Sequence, residues 1–489
     1  MSDQQHIHMI GICGTAMASL AGMLKQRGFK VTGSDAAAYP PMSEFLAALG
    51  IPVAQPYSEK SLQPRPDLVV VGNAISRGNA ELEYALDSRI PLQSLPQVLH
   101  DHFLRTRRTI TVAGTHGKTT TTSMLAWIFQ TAGKSPSFLI GGVAENFSSS
   151  FAVKQGEHFI IEGDEYDTAF FDKGPKFLHY FPESVILTSV EFDHADIYRD
   201  LEAVKTSFRR LVNIVPRRGL IVAYDANGNV SDCLAKAFCR VERYGFDAAS
   251  AWRIADLRFE PAITRWSLLK DGRPWAELEF PLAGEYNVLN ATAAAMAANY
   301  GISPEIVAEA LKSFRSVKRR LEVRAEIDGI TLIDDFAHHP TAIRETLKAL
   351  RVRYPGRRLW AIFEPRSNTL RRKVFEEQLA ESLGLADQVV IAAVFKSEAI
   401  PAAERLEVAS VVGRLSRAGT PARELADADA IVAGVAPELS SGDVVAILSN
   451  GGFGGIYQKL PERLRELRKP ATSESGKQRA ASGIEEVTA

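Results

Sequence analysis

The sequence predicts an α/β protein of about three domains, each built on a mainly parallel sheet. Three observations point there: strand-like and helix-like apolar patterns alternate, glycine-rich or acid-rich loops follow the strands, and 489 residues suffice for about three domains of ordinary size.

Taken in order, residues 6–10 form a short apolar run that leads into the small-residue loop GICGTA. Apolar groups at helical spacing occupy 17–26, Gly28 stops that helix, and residues 30–33 open a second strand. The run DLVVVGNA from Asp67 reads as a buried strand. Strand–helix–strand order defaults to right-handed crossovers and so to parallel pairing. In the first loop Gly11 and Gly14 are present, but Cys13 and Ala16 stand where a dinucleotide fingerprint wants glycine. Asp35 ends the second strand, where an acid can meet a ribose hydroxyl. A nucleotide-diphosphate site and a plain tight turn both account for this loop.

A polar stretch around 102–108 precedes a second region that opens with TITVAG and carries the strands HFIIE (158–162) and SVILT (184–188). Short antiparallel strands follow over 252–280, turning at Asp271–Gly272, and then a hydrophobic helix over 290–299. The strongest local signal of the chain is AGTHGKTT, residues 113–120, between a strand and a helix. Gly114 and Gly117 let the backbone curl so that its amides face phosphate oxygens, and the helix start adds partial positive charge. Lys118 can reach the β- and γ-phosphates, and Thr119 has the hydroxyl expected on Mg2+. Val112 replaces one glycine of the full motif, so the loop is a compact variant. Two acidic clusters follow successive strands: Glu162, Asp164, Glu165 and Asp167, then Glu191, Asp193 and His194. Phosphoryl transfer needs a metal, and such clusters offer its ligands.

The third region starts after Lys318-Arg319-Arg320, with strands at 330–333, 359–363, 388–392 and 444–448. Asp334, Asp335, His338 and His339 follow its first strand, and Pro340 suits the first turn of a helix. That group reads either as chemistry or as a capping aspartate with two surface histidines. From Lys469 the chain is polar and small, which predicts a disordered tail over 469–489. A net charge of -1 with 46% hydrophobic residues gives no reason to expect a nucleic-acid or membrane partner. Cys13, Cys233 and Cys239 are odd in number and lack a metal spacing, so a reduced cytoplasmic compartment is expected.

Together GICGTAM, TGSD, AGTHGKTT, IEGDEYD, EFDHADIY, GEYNVLNATAA, KRRLE and DDFAHHPTAI occur in the order of the Mur ligase family, which the chain resembles over residues 6–465. That family builds the peptide stem of bacterial peptidoglycan precursors. The resemblance implies a Rossmann-like UDP-sugar domain (1–106), a central P-loop ATPase domain (107–317) and a C-terminal Rossmann-like domain for the amine (318–468). DAAAYPPMS, FEPRSNTLRR and SNGGFGGI are similar to the branch that joins the murein tripeptide, L-alanyl-γ-D-glutamyl-meso-diaminopimelate, to UDP-N-acetylmuramate during recycling. The sister branch that adds L-alanine has histidine–arginine–tyrosine where Arg366, Ser367 and Asn368 stand.

By position the resemblance places Gly11, Gly14, Thr15, Ser34, Asp35 and Asn73 at the UDP-sugar. It places Gly114, Thr115, His116, Gly117, Lys118, Thr119, Thr120, Asn287, Asn290 and Arg320 at ATP, and Thr119, Glu162 and His194 at Mg2+. Arg366, Ser367 and Asn368 would meet the tripeptide, and Lys118, His194, Asp335 and His338 would carry the chemistry. Many relatives have a modified lysine at the second metal, whereas Arg209 stands at that spacing here and Lys205 lies one turn earlier. The expected assembly is a monomer or weak homodimer. The rival readings are the L-alanine-adding ligase, a P-loop switch that ligates nothing, and an NAD oxidoreductase, which Cys13 and Ala16 disfavour.

Overall fold

The computed structural model describes residues 4–38 and 42–468. The tail from 469, and Tyr39, Pro40 and Pro41 of the DAAAYPPMS segment, lie outside the described residues. Three sheets, one per region, carry the architecture.

The first contains β1 (His6–Ile10), β2 (Lys30–Ser34), β3 (Val53–Ala54), β4 (Leu68–Val71) and β5 (Leu92–Ser94), all parallel, in the order β3-β2-β1-β4-β5. From β1 the chain goes first to one side and later returns to the other, so the carboxyl ends of β1 and β4 flank a crevice. Open α/β sheets bind ligands at such a reversal. Gly11, Gly14, Thr15 and Asn73 all follow these two strand ends.

The second sheet has ten strands: β6 (Arg108–Ala113), β7 (Ser137–Ala144), β8 (Ser149–Ala152), β9 (His158–Gly163), β12 (Ser184–Leu187), β13 (Leu220–Tyr224), β14 (Arg240–Gly245), β15 (Trp252–Phe259), β16 (Thr264–Lys270) and β17 (Arg273–Phe280). A separate small hairpin joins β10 (Asp167–Ala169) to β11 (Asp172–Pro175). The order β17-β16-β15-β14-β13-β12-β6-β9-β7-β8 sets β6 between β12 and β9, with both pairings parallel. The phosphate loop and both acidic clusters therefore leave the same end of three adjacent strands. Asp271 and Gly272 both have positive φ, 49° and 77°, as a two-residue type I′ hairpin requires. These antiparallel strands do not stand apart: Tyr244 of β14 pairs in parallel with Trp252, which extends the central sheet.

The third sheet has β18 (Glu322–Ile327), β19 (Ile330–Asp335), β20 (Leu359–Phe363), β21 (Gln388–Ala392), β22 (Ala422–Leu425) and β23 (Val444–Leu448), ordered β18-β19-β23-β20-β21-β22. Only β18 is antiparallel to its neighbour. LWAIF, VVAIL and the last four residues of QVVIA are buried throughout, the pattern of parallel strands covered on both faces.

Two buried helices, Lys118–Thr131 and Glu285–Ala298, pack on each other over the central sheet. The alanine run of the second permits a close approach, which brings Asn290 onto the phosphate loop. The first domain seats its helix Thr15–Gln26 on β7 and β8, with Ser19 Oγ 3.0 Å from Ser150 Oγ and Phe45 edge-on to Phe151. Among the described residues no helix is long and apolar enough to cross a membrane.

Candidate active site

β6 ends at Ala113, and the loop turns at Gly114 (φ 130°) and Gly117 (φ 78°) into the helix that starts at Lys118. A Cβ on Gly114 would lie 2.2 Å from Thr188 Oγ1, and one on Gly117 would lie 2.3 Å from Asn290 Oδ1, so both positions exclude a side chain. The expectation that the loop amides all face inward is corrected in part. Thr115 N donates to the Ser189 carbonyl at 2.9 Å and His116 N to Ser189 Oγ at 3.1 Å, which ties the loop to the end of β12. The amides of Lys118, Thr119 and Thr120 start the helix and have no partner within it, so they are the ones available to a phosphate.

The Lys118 side chain is 14% exposed, and its ammonium donates to the carbonyls of Gly114 (2.7 Å) and Thr115 (3.2 Å) and to Glu165 (3.0 Å). Burial alone would depress its pKa, but the charges of Glu165, Glu162 and Asp164 outweigh that and hold it above the ordinary lysine value. Glu162 Oε1 accepts from Thr119 Oγ1 at 3.1 Å and Oε2 from Gly141 N at 2.8 Å. Burial pushes the Glu162 carboxyl up despite Lys118 nearby. A half-buried carboxylate beside a threonine hydroxyl is a hard oxygen pair that fits Mg2+.

His194 does not join that pair. Its Nε2 turns to Glu165 Oε1 at 3.2 Å, and Glu165 with Asp193 raises the imidazole pKa against the effect of burial. Asp193, itself buried and held well below the usual carboxylate range, accepts from His194 N and from Thr369 Oγ1, both at 2.7 Å. Arg209, where relatives have the modified lysine, pairs with Glu202, and Lys205 pairs with Asp232 at 2.7 Å. Neither is turned into the site.

The third domain reaches the loop through Arg320, whose Nη2 lies 3.4 Å from Thr119 Oγ1 and whose guanidinium rests over Phe336. Asp335 has both oxygens engaged, Oδ2 by Leu321 N (2.8 Å) and Oδ1 by Ala337 N (2.9 Å) and Thr346 Oγ1 (3.1 Å). That fixes the turn carrying Arg320 and occupies three of the roughly four lone-pair sites of the carboxylate. His338 Nδ1 donates to the Phe336 carbonyl at 2.9 Å, which sets its tautomer and leaves Nε2 as an acceptor; burial lowers its pKa. His339, not an aspartate, caps the helix Pro340–Arg353 through Thr341 N. His116, Glu191 and His339 gather within 4.8 Å, but both nitrogens of His339 are taken, Nδ1 by Thr341 N and Nε2 by the Phe192 carbonyl. This trio is a contact between loop and third domain, with His116 Nε2 3.3 Å from Glu191 Oε2 and Thr341 Oγ1 donating to Glu191 Oε2 at 2.7 Å.

Asn368 Nδ2 bonds Tyr166 OH (2.9 Å) and Asp196 (2.7 Å), and Ser367 Oγ donates to the His338 carbonyl (3.2 Å). Of the residues expected at the tripeptide, Asn368 thus holds the third domain to the second, while Ser367 is engaged within the third domain. Arg366 is 30% exposed beside them. Asn287 bonds the Ala283 carbonyl at 2.8 Å on the helix behind the loop. In the first domain, Asp35 Oδ2 accepts from Cys13 N at 2.9 Å and so braces the glycine loop, while Ser34 contacts the buried Glu81. Sequence reading named Glu165 and Asp193 only as members of the acidic clusters and missed Thr369 altogether. A cavity of about 350 Å3 lies at the opposite ends of the central strands, beside Arg108, Ser184 and Leu220, away from this chemistry.

A phosphate loop between two acid-bearing strands, completed by an arginine from a separate domain, defines a site of the nucleotide-dependent phosphoryl-transfer class. Three family descriptions match in order: the Mur ligase family, catalytic domain, over 6–107, the Mur ligase middle domain over 112–298, and the Mur ligase, glutamate ligase domain, over 319–451. The chain belongs to the Mur ligase family, whose members are ATP-dependent enzymes that form an amide bond. Within that family it is 44% identical, over 95% of its length and 99% of the relative, to UDP-N-acetylmuramate–L-alanyl-γ-D-glutamyl-meso-2,6-diaminoheptandioate ligase of Escherichia coli K12. A solved murein peptide ligase of Psychrobacter arcticus 273-4 matches with TM-score 0.71 at 38% identity, over 94% of this chain and 98% of that one. UDP-N-acetylmuramate–L-alanine ligase of Geotalea daltonii is 32% identical over 94% of this chain and 98% of its own.

Proposed function

We propose that the protein joins the α-amine of L-alanyl-γ-D-glutamyl-meso-diaminopimelate to the lactyl carboxylate of UDP-N-acetylmuramate at the expense of ATP. The first domain would take the UDP-sugar, the second ATP and the third the amine. The observation that carries the choice of amine is whole-length likeness: 44% to the tripeptide ligase against 32% to the L-alanine ligase.

A carboxylate does not couple to an amine directly, because oxide will not leave. Its oxygen attacks the γ-phosphorus, ADP departs, and the resulting acyl phosphate has phosphate as leaving group. Lys118 and Arg320, both at the loop, would stabilise the charge spread over the transferring oxygens. Thr119 and Glu162 would hold Mg2+, which would neutralise phosphate charge when bound. The amine nitrogen then attacks the acyl carbon, the tetrahedral species expels phosphate, and one ammonium proton must leave. Glu165 favours a protonated His194 and Asp335 has its oxygens engaged, so His338 Nε2 is the group disposed to accept that proton.

The test is phosphate release with ATP and UDP-N-acetylmuramate, with either the tripeptide or L-alanine added. Tripeptide-dependent release is expected, and release with L-alanine alone overturns the choice of amine. Hydroxylamine is expected to trap a hydroxamate from UDP-N-acetylmuramate; failure to do so counts against the acyl phosphate.

A further inference from the structure

Arg366 stands in a place built by three loops that leave adjacent parallel strands, β23, β20 and β21. It follows β20. Phe395, from the loop after β21, lies under its guanidinium, with Cζ 3.8 Å from the ring centroid. The Phe395 amide donates to the Pro365 carbonyl at 3.1 Å, so the ring is tied to the residue next to Arg366. Gly451, from the loop after β23, closes the contact: a Cβ there would lie 2.0 Å from Nε, 2.3 Å from Cδ and 2.4 Å from Cζ of Arg366. Gly451 is itself fixed, because its amide donates to Ser449 Oγ at 2.9 Å and Ser449 contacts the buried Glu364. Glu364 Oε1 also lies 3.4 Å from Arg366 Nη1.

A guanidinium donates its hydrogens in its own plane and pairs with a carboxylate edge-on through two parallel bonds. Holding that plane by an aromatic face and a bare backbone orients the fork before any ligand arrives, which removes a rotamer cost from binding. We propose that Gly451 and Phe395 are positioning residues that hold Arg366 as a preformed fork for a carboxylate of the incoming peptide. The inference rests on the reading of Arg366 as a carboxylate-binding group.

Gly451→Ala tests it cleanly. No positive φ restricts the site, and the atoms in the way belong to a flexible side chain, so Arg366 yields rather than the fold. Gly452 has nothing within 4 Å of an added Cβ, and Gly452→Ala is the matched control. Arg366→Ala is expected to raise the KM for the tripeptide by about tenfold or more, the scale of a lost charge-assisted bond. Gly451→Ala and Phe395→Leu should follow in the same direction, Phe395→Tyr should return toward wild type, and Gly452→Ala should not move. Hydroxamate formation from UDP-N-acetylmuramate and ATP, which needs no peptide, should be unchanged in the Gly451, Phe395 and Gly452 variants. If Arg366→Ala leaves the tripeptide KM unchanged, the reading of Arg366 itself fails. If Arg366→Ala raises it and Gly451→Ala does not, that reading stands and the positioning role fails. Equal damage to hydroxamate formation in Gly451→Ala also overturns the positioning role.

Discussion

Lys118 keeps its charge in the interior because carboxylates surround it, and the same charge is what a transferring phosphoryl group requires. Replacing it by alanine is expected to cut phosphate release about a hundredfold or more, the range for losing one preorganised donor. Full turnover in that variant would remove Lys118 from the chemistry. His339 makes the opposite use of burial. Its pKa is pushed down to about 4 by desolvation and by His116. The unfolded chain binds this proton near pH 6.5, so the neutral form contributes its full stability above that value and loses it as pH falls toward 4. The difference in unfolding free energy between the protein and a His339→Asn variant, which keeps a capping side chain, should shift by up to about 3 kcal/mol across that window. A pH-independent difference would sink this account. At this scale the sequence named Lys118, Thr119 and Glu162 correctly as neighbours, since strand–loop–helix context fixes where a phosphate loop points. It could not single out Glu165 within its cluster, because four acids over six residues in a loop have no period that tells which one turns inward.

Elements show why some strands were legible. β4, β20 and β23 are unbroken apolar runs, because parallel strands lose both faces to solvent exclusion. β18 reads EVRAEI with no residue fully buried, and its pairing with β19 became visible only in the fold. β22 likewise has no fully buried residue, and the pairing of β7 with β8 also became visible only in the fold. The turn after β19 depends on Asp335, which accepts from two amides and a hydroxyl while buried. Asp335→Asn puts an NH2 against one of those donors, and about 1–3 kcal/mol of stability should be lost in denaturant unfolding. An unchanged midpoint would show that the turn does not need the carboxylate.

At the scale of the molecule, the second and third domains are joined where EFDHAD meets RSNT. Thr369 Oγ1 donates to Asp193 and accepts from Ala195 N at 3.3 Å, while Asn368 reaches Asp196 and Tyr166. Asn368, which the resemblance assigned to substrate, therefore also carries the domain contact, which no one-dimensional pattern distinguishes. Thr369→Val should speed amide exchange over 193–198 and 366–371 and slow ligation, since an enzyme with sites on separate domains works only when they meet. Unaltered exchange in both segments would place the joint elsewhere.

The seating of the helix Thr15–Gln26 on β7 and β8 has a further consequence. β8 is the last strand of the central sheet on that side, and a terminal strand offers a row of unpaired backbone groups to any passing chain. At the other terminus β17 is packed by the helix Pro304–Lys312. The first domain thus doubles as a guard against aberrant strand addition, so a lesion that loosens it should aggregate the protein before it merely lowers activity.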